Sequence, residues 1–154
     1  MTAGRNNLSR SNGFGRRAAL TSVAVALSTR AAEATPETAR RLLQGFTSTT
    51  PREGRVSLRI PEIAEDGTQV PVTIVVESPM NGADHVRALH VVADGNPNPG
   101  VVSFAFTPLA GRCEIQFRMR LAQSQRVSAL AEMSDGSLWI TTRDVTVTVG
   151  GCKG

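Results

Sequence analysis

The residues Gly150-Gly151-Cys152-Lys153-Gly154 place a thiol behind two consecutive glycines. Glycine has the widest φ/ψ freedom and no side chain to pack, so the spacing predicts a flexible arm. The arm follows Val145-Thr146-Val147-Thr148-Val149, whose valines share one strand face and threonines the other. At roughly 3.3–3.6 Å per residue, three residues past Val149 let the Cys152 sulfur range over about 10 Å. A thiol so placed suits a carrier, which accepts a group and presents it to successive enzymes. Thiolate is the reactive form; Lys153 favours it and the Gly154 carboxylate opposes it, and solvent screens both. Activation is therefore expected from a partner's pocket. An exposed thiol also forms disulfides in an oxidising compartment. A secreted structural β-sandwich crosslinked through Cys152 is thus the competing reading.

Other candidate chemistry is thin. Cys113 shares strand parity with Ile115, Phe117, Met119 and Leu121, and reads as a small buried hydrophobe, although a disulfide to Cys152 stays open. His85 and His90 are an odd number of residues apart, which on a strand puts them on opposite faces and makes them a poor ligand pair. The carboxylates are scattered singly, with no pair suited to acid–base work. No Gly-rich phosphate loop, GxSxG elbow or HExxH occurs. A small thiol enzyme would need a base held near Cys152, and a diglycine tether holds near-attack geometry badly. We therefore expect no catalytic residue and no metal ligand.

The elements that position the arm are mostly strands. Thr35-Pro36 reads as a helix start, an N-cap oxygen followed by proline at the first position. Ala39, Leu42, Leu43 and Phe46 fall on one face of that helix, which Gly45 and Thr47–Thr50 end. Strands are predicted at Arg55–Ile60, Val70–Val76, Val86–Val92, Val101–Phe106, Cys113–Leu121, Val127–Met133 and Leu138–Val149. Turn chemistry at Asp66-Gly67, Asn81-Gly82, Asp94-Gly95 and Asp135-Gly136 separates them. About seven short strands with no helices between them favour an all-β, two-sheet sandwich over a parallel α/β sheet.

The N-terminal segment reads as a leader. Arg16-Arg17 precedes a mildly apolar run, Ala18–Leu27, and Ala32-Glu33-Ala34 has the small-x-small pattern of a cleavage site. The paired arginines resemble a twin-arginine export signal. The expected organisation is an export signal at 1–34, a sandwich at 35–149 and a cysteine-bearing arm at 150–154. The 154-residue chain carries a formal charge of +4. Without residues 1–34, 12 basic and 12 acidic side chains remain. The basic excess therefore belongs mainly to the leader, and nucleic-acid binding loses its main support. Aromatics are 4% with no tyrosine, which leaves no stacking platform for bases. No apolar run is long enough for a membrane span.

The mature region resembles the SoxY family of sulfur carriers in bacterial thiosulfate oxidation. The likeness lies in Val70-Pro71-Val72 with Glu77-Ser78-Pro79-Met80, and in Asn96-Pro97-Asn98-Pro99 with Phe106-Thr107-Pro108. It continues through Gly111-Arg112, Arg120-Leu121-Ala122, Met133-Ser134-Asp135-Gly136-Ser137 and Gly150-Gly151-Cys152. The resemblance implies an immunoglobulin-like sandwich that pairs as a heterodimer with a second small β-sandwich subunit, SoxZ. It implies a periplasmic carrier, not an enzyme, with no cofactor other than a covalent sulfur adduct on Cys152. Its transient partners would be a c-type cytochrome complex that couples thiosulfate to the sulfur, a dimanganese hydrolase that releases sulfate, and a sulfane dehydrogenase. The family ends Gly-Gly-Cys-Gly-Gly, whereas this chain has Lys153, a cation that could crowd a narrow channel or attract an anionic cargo.

Overall fold

A computed structural model describes residues 36–46 and 49–150. Helix α1 spans Pro36–Gly45. The strands are β1 (Val56–Arg59), β2 (Ile63–Asp66), β3 (Val70–Val76), β4 (Val86–Ala93), β5 (Gly100–Ala105), β6 (Cys113–Met119), β7 (Gln125–Met133) and β8 (Leu138–Val149). One 3-10 turn, Pro108–Ala110, lies between β5 and β6.

The period-2 pattern decides which face goes inward. In β3, Val70, Val72, Ile74 and Val76 are buried while Pro71 is exposed. β3 is the middle strand of a three-stranded sheet ordered β1-β3-β6. A proline there is tolerated because the β1 pairing ends at Arg59–Thr73, so Pro71 lies beyond it on a free edge. The second sheet is ordered β2-β8-β7-β4-β5. Its inner face supplies Leu89, Val91 and Ala93 from β4 and Val127, Ala129, Ala131 and Met133 from β7. Together the two inner faces make one core, and the architecture is the all-β, immunoglobulin-like sandwich expected from the sequence.

β4 is buried almost throughout because both of its faces are covered. The outer cover is α1. Phe46 stacks on His90 with ring centroids 3.9 Å apart and planes 10° apart. Leu42 and Phe46 line one hollow against Val92 and Ser103, and Ala39 and Leu43 line another against Ile140 and Ser128. The predicted helix face is thus the one that meets the sheet, with Ala39 buried and Leu42, Leu43 and Phe46 half-buried.

β2 was not anticipated. It carries one buried residue, Ala64, and pairs in parallel with the end of β8, aligning Asp66 with Val149. Among the described residues, no helix is long and apolar enough to cross a membrane.

Candidate functional site

β8 delivers the chain to the proposed arm, and two loops grip its end. The Gly67 N–H donates to the Val149 carbonyl (2.7 Å), and the Gly67 carbonyl accepts from the Leu121 N–H (2.8 Å). Gly67 sits in a turn pinned by Asp66, whose carboxylate accepts from the Thr68 N–H (2.8 Å) and hydroxyl (2.7 Å). Those two bonds, the hydroxyl's first, hold the Asp66 carboxyl below its ordinary pKa. Ser124 extends the ladder where β7 has not yet begun, its Oγ accepting from the Val147 N–H (2.9 Å).

Beneath these contacts lies a buried amide pair. The Asn96 side chain donates to the Arg120 carbonyl (2.8 Å) and accepts from the Ala122 N–H (2.9 Å). Gln125 donates to Asn96 Oδ1 (2.9 Å) and to the Gln123 carbonyl (3.0 Å), and accepts from the Gly95 N–H (2.7 Å). Both side chains are buried, and their network ties the β4–β5 turn to the β6–β7 loop. Gly150 is half-buried against that loop, beside the Ala122 carbonyl. Two of the motifs behind the family resemblance, Asn96-Pro97-Asn98-Pro99 and Arg120-Leu121-Ala122, therefore meet beside Gly150, just past the end of β8.

Of the predicted arm residues, Gly150 is described; Gly151, Cys152, Lys153 and Gly154 lie outside the described residues, as does the expected leader at 1–34. Cys113 is 1% exposed at the start of β6 and is paired across the sheet with Val76. Burial pushes its thiol up to about 11, against a smaller opposing effect of a Val76 backbone hydrogen bond. Along β6 it lies about 25 Å from Leu121, at roughly 3.3 Å per residue. That is beyond the reach of two residues past Gly150, so the disulfide left open by the sequence does not fit this geometry.

The two histidines have separate partners. His85 Nδ1 lies 3.0 Å from the Asn81 carbonyl. His90 lies between Ser103 Oγ (2.7 Å from Nδ1) and Glu132 Oε1 (2.9 Å from Nε2), under Phe46. Sequence reading missed this cluster because it depends on register, which sets His90 opposite Ser103 on β5 and diagonal to Glu132 on β7. It likewise missed Asn96 and Gln125, whose role exists only once the loops meet. Among the described residues, no three His, Cys, Asp or Glu side chains gather into a metal-binding group.

A second charged cluster lies at the other end of β8. Arg55 holds Asp84 through two hydrogen bonds (3.1 and 2.8 Å), and Arg52 and Arg55 flank the Trp139 ring at 5.6 and 5.7 Å. It belongs to the wall that closes the sandwich, where Arg52 bridges to Trp139.

Comparison with known proteins agrees with the resemblance. The family model for "Sulfur oxidation protein SoxY" matches residues 39–152. Among solved structures, the sulfur carrier protein SoxY from Chlorobium limicola f thiosulfatophilum is 27% identical. The match covers 71% of this chain and 96% of that one, with a TM-score of 0.59. A superoxide reductase (neelaredoxin) variant from Ignicoccus hospitalis is 21% identical over 62% of this chain and 81% of its own, with a TM-score of 0.55. A putative superoxide reductase from Thermotoga maritima is 20% identical over 68% and 96%, with a TM-score of 0.53. The likeness to these two is one of fold. No curated protein sequence matches the chain significantly. The family model spans nearly the whole sandwich and runs to the terminal cysteine, so the chain belongs to the SoxY family of sulfur oxidation proteins.

Proposed function

We propose that this protein is the covalent substrate carrier of a periplasmic thiosulfate-oxidising system, with Cys152 as the carrying residue. The observation that carries the reading is that the family match extends through Gly150-Gly151 to Cys152 itself. The C. limicola relative is itself a sulfur carrier protein.

In this reading the Cys152 thiolate and thiosulfate join through a new S–S bond, and two electrons leave for a c-type cytochrome partner. The product is an S-thiosulfonate. Water then cleaves the bond between its sulfane sulfur and the sulfonate sulfur in a hydrolase partner, releasing sulfate and a proton and leaving a persulfide on Cys152. A dehydrogenase can oxidise that sulfane sulfur further. The sandwich supplies a rigid base and docking surfaces, including those for a SoxZ-like subunit, while Gly150, Gly151, Lys153 and Gly154 supply the arm. The leader at 1–34 would export the chain by the twin-arginine route. Since the cargo is anionic, each partner's channel needs cationic groups to receive it.

The test is a reconstituted mixture of this chain, its partner subunit and the coupling cytochrome. Cys152→Ser should fold and bind the partner subunit yet abolish thiosulfate-dependent cytochrome reduction. Undiminished reduction with Cys152→Ser, or a native chain isolated only as a stable disulfide dimer without sulfur adducts, would reject the carrier reading.

A further inference from the structure

A glycine is required for one of two reasons, a backbone angle that other residues avoid or a space that a side chain cannot enter. Gly111 and Gly136 are of the first kind: φ is +71° and +81°, with nothing within 4 Å of an added Cβ. Gly150 is of the second kind. Its φ lies outside the left-handed range, and an added Cβ would fall on the Ala122 carbonyl oxygen, with the carbonyl carbon at 3.2 Å. Both obstructing atoms are backbone, so neither swings aside as a side-chain tip would.

Nor is Ala122 free to retreat. Its N–H is held by Asn96, the preceding Leu121 N–H is held by Gly67, and Gly67 also holds the Val149 carbonyl next to Gly150. Asn96 is in turn held by Gln125. The contact closes a loop of bonds running from Val149 through Gly67, Leu121 and Ala122 back to Gly150.

We propose that Gly150 is a positioning residue, the fixed root from which the segment after β8 departs. Its lack of a side chain lets the strand end lie against the 120–125 loop. The sulfur's reach is measured from a fixed point beside Ala122 and shortens to about 7 Å. Partners that accept the arm must therefore dock around the β4–β5 turn and the β6–β7 loop. The functional consequence rests on the carrier reading; the anchoring does not.

The experiment compares Gly150→Ala and Gly151→Ala in the full chain by two measurements. The first is hydrogen exchange of the Gly67 amide, which reports the bond to Val149. The second is the line shape of a nitroxide label on Cys152, with Cys113 buried and unlabelled. Gly150→Ala should speed Gly67 exchange more than tenfold and make the label more mobile. Gly151→Ala should leave Gly67 exchange within twofold and make the label less mobile. If both variants leave Gly67 protected and both slow the label, Gly150 is a joint like its neighbour and the proposal fails. Thiosulfate uptake by the native chain tests the carrier reading separately, since neither measurement depends on it.

Discussion

Cys113 shows what a strand position does to a thiol. It is enclosed by the core, and burial lifts its thiol from the ordinary 9.0 to about 11. At pH 8 almost none of it is thiolate. Iodoacetamide should therefore add one group per native chain, at Cys152, and a second only in denaturant, as counted by intact mass. The same shift links stability to pH. Below pH 9 the thiol is protonated in both folded and unfolded chains, and its contribution is complete. Between pH 9 and 11 the unfolded chain gives up the proton first, so stability falls with rising pH. In urea unfolding, the advantage of the native chain over Cys113→Ala should narrow between pH 8.5 and pH 10.5; an unchanged gap would mean that the thiol is not desolvated. Against the 120–125 loop beside Gly150 the decisive side chain is Asn96, which satisfies one carbonyl and one N–H and is itself held by Gln125. Asn96→Ala leaves buried polar groups without partners and should cost roughly 2–4 kcal/mol in chemical unfolding.

Among the elements, α1 is the most lightly held. It rests on the outer face of the larger sheet through Ala39, Leu42, Leu43 and the Phe46–His90 stack. Its own ion pairs, Glu37 with Arg40 and Arg41, are exposed and contribute little. Removing the stack with Phe46→Ala forfeits about 1 kcal/mol, which should raise tryptic cleavage after Arg40 and Arg41 about fivefold while the strands stay protected. Strands with many buried, β-branched residues were legible in the sequence: the bounds of β3 and β8 coincide with those predicted. β2 was illegible because Ile63-Ala64-Glu65-Asp66 buries a single side chain, and its partner is the distant end of β8. The same limit applies around the site. Gly150-Gly151-Cys152 is local and could be read as a motif, whereas Ala122 against Gly150 and Asn96 against Gln125 are contacts between segments that only tertiary folding brings together. The odd spacing of His85 and His90 is legible in the sequence, whereas the pairing of His90 with Ser103 and Glu132 depends on cross-strand register.

At the scale of the whole molecule, two clusters of side-chain and loop contacts lie at opposite ends of β8. One holds Arg55–Asp84 and Trp139; the other gathers Asp66–Thr68, Asn96 and Arg120–Gln125 around the exit of β8. Basic and acidic groups balance over residues 35–154, so on the carrier reading that stretch offers no net charge to draw thiosulfate. On that reading, capture is local chemistry at the Cys152 sulfur, helped by a partner. Intact-mass and peptide mapping of the native chain, incubated with thiosulfate, its partner subunit and an oxidising coupling cytochrome, tests this most directly. The account predicts a single thiosulfonate adduct per chain, confined to the peptide containing Cys152 and removed by a thiol reductant. An unmodified terminal peptide under conditions where thiosulfate is consumed, or an adduct located on Cys113, would contradict it.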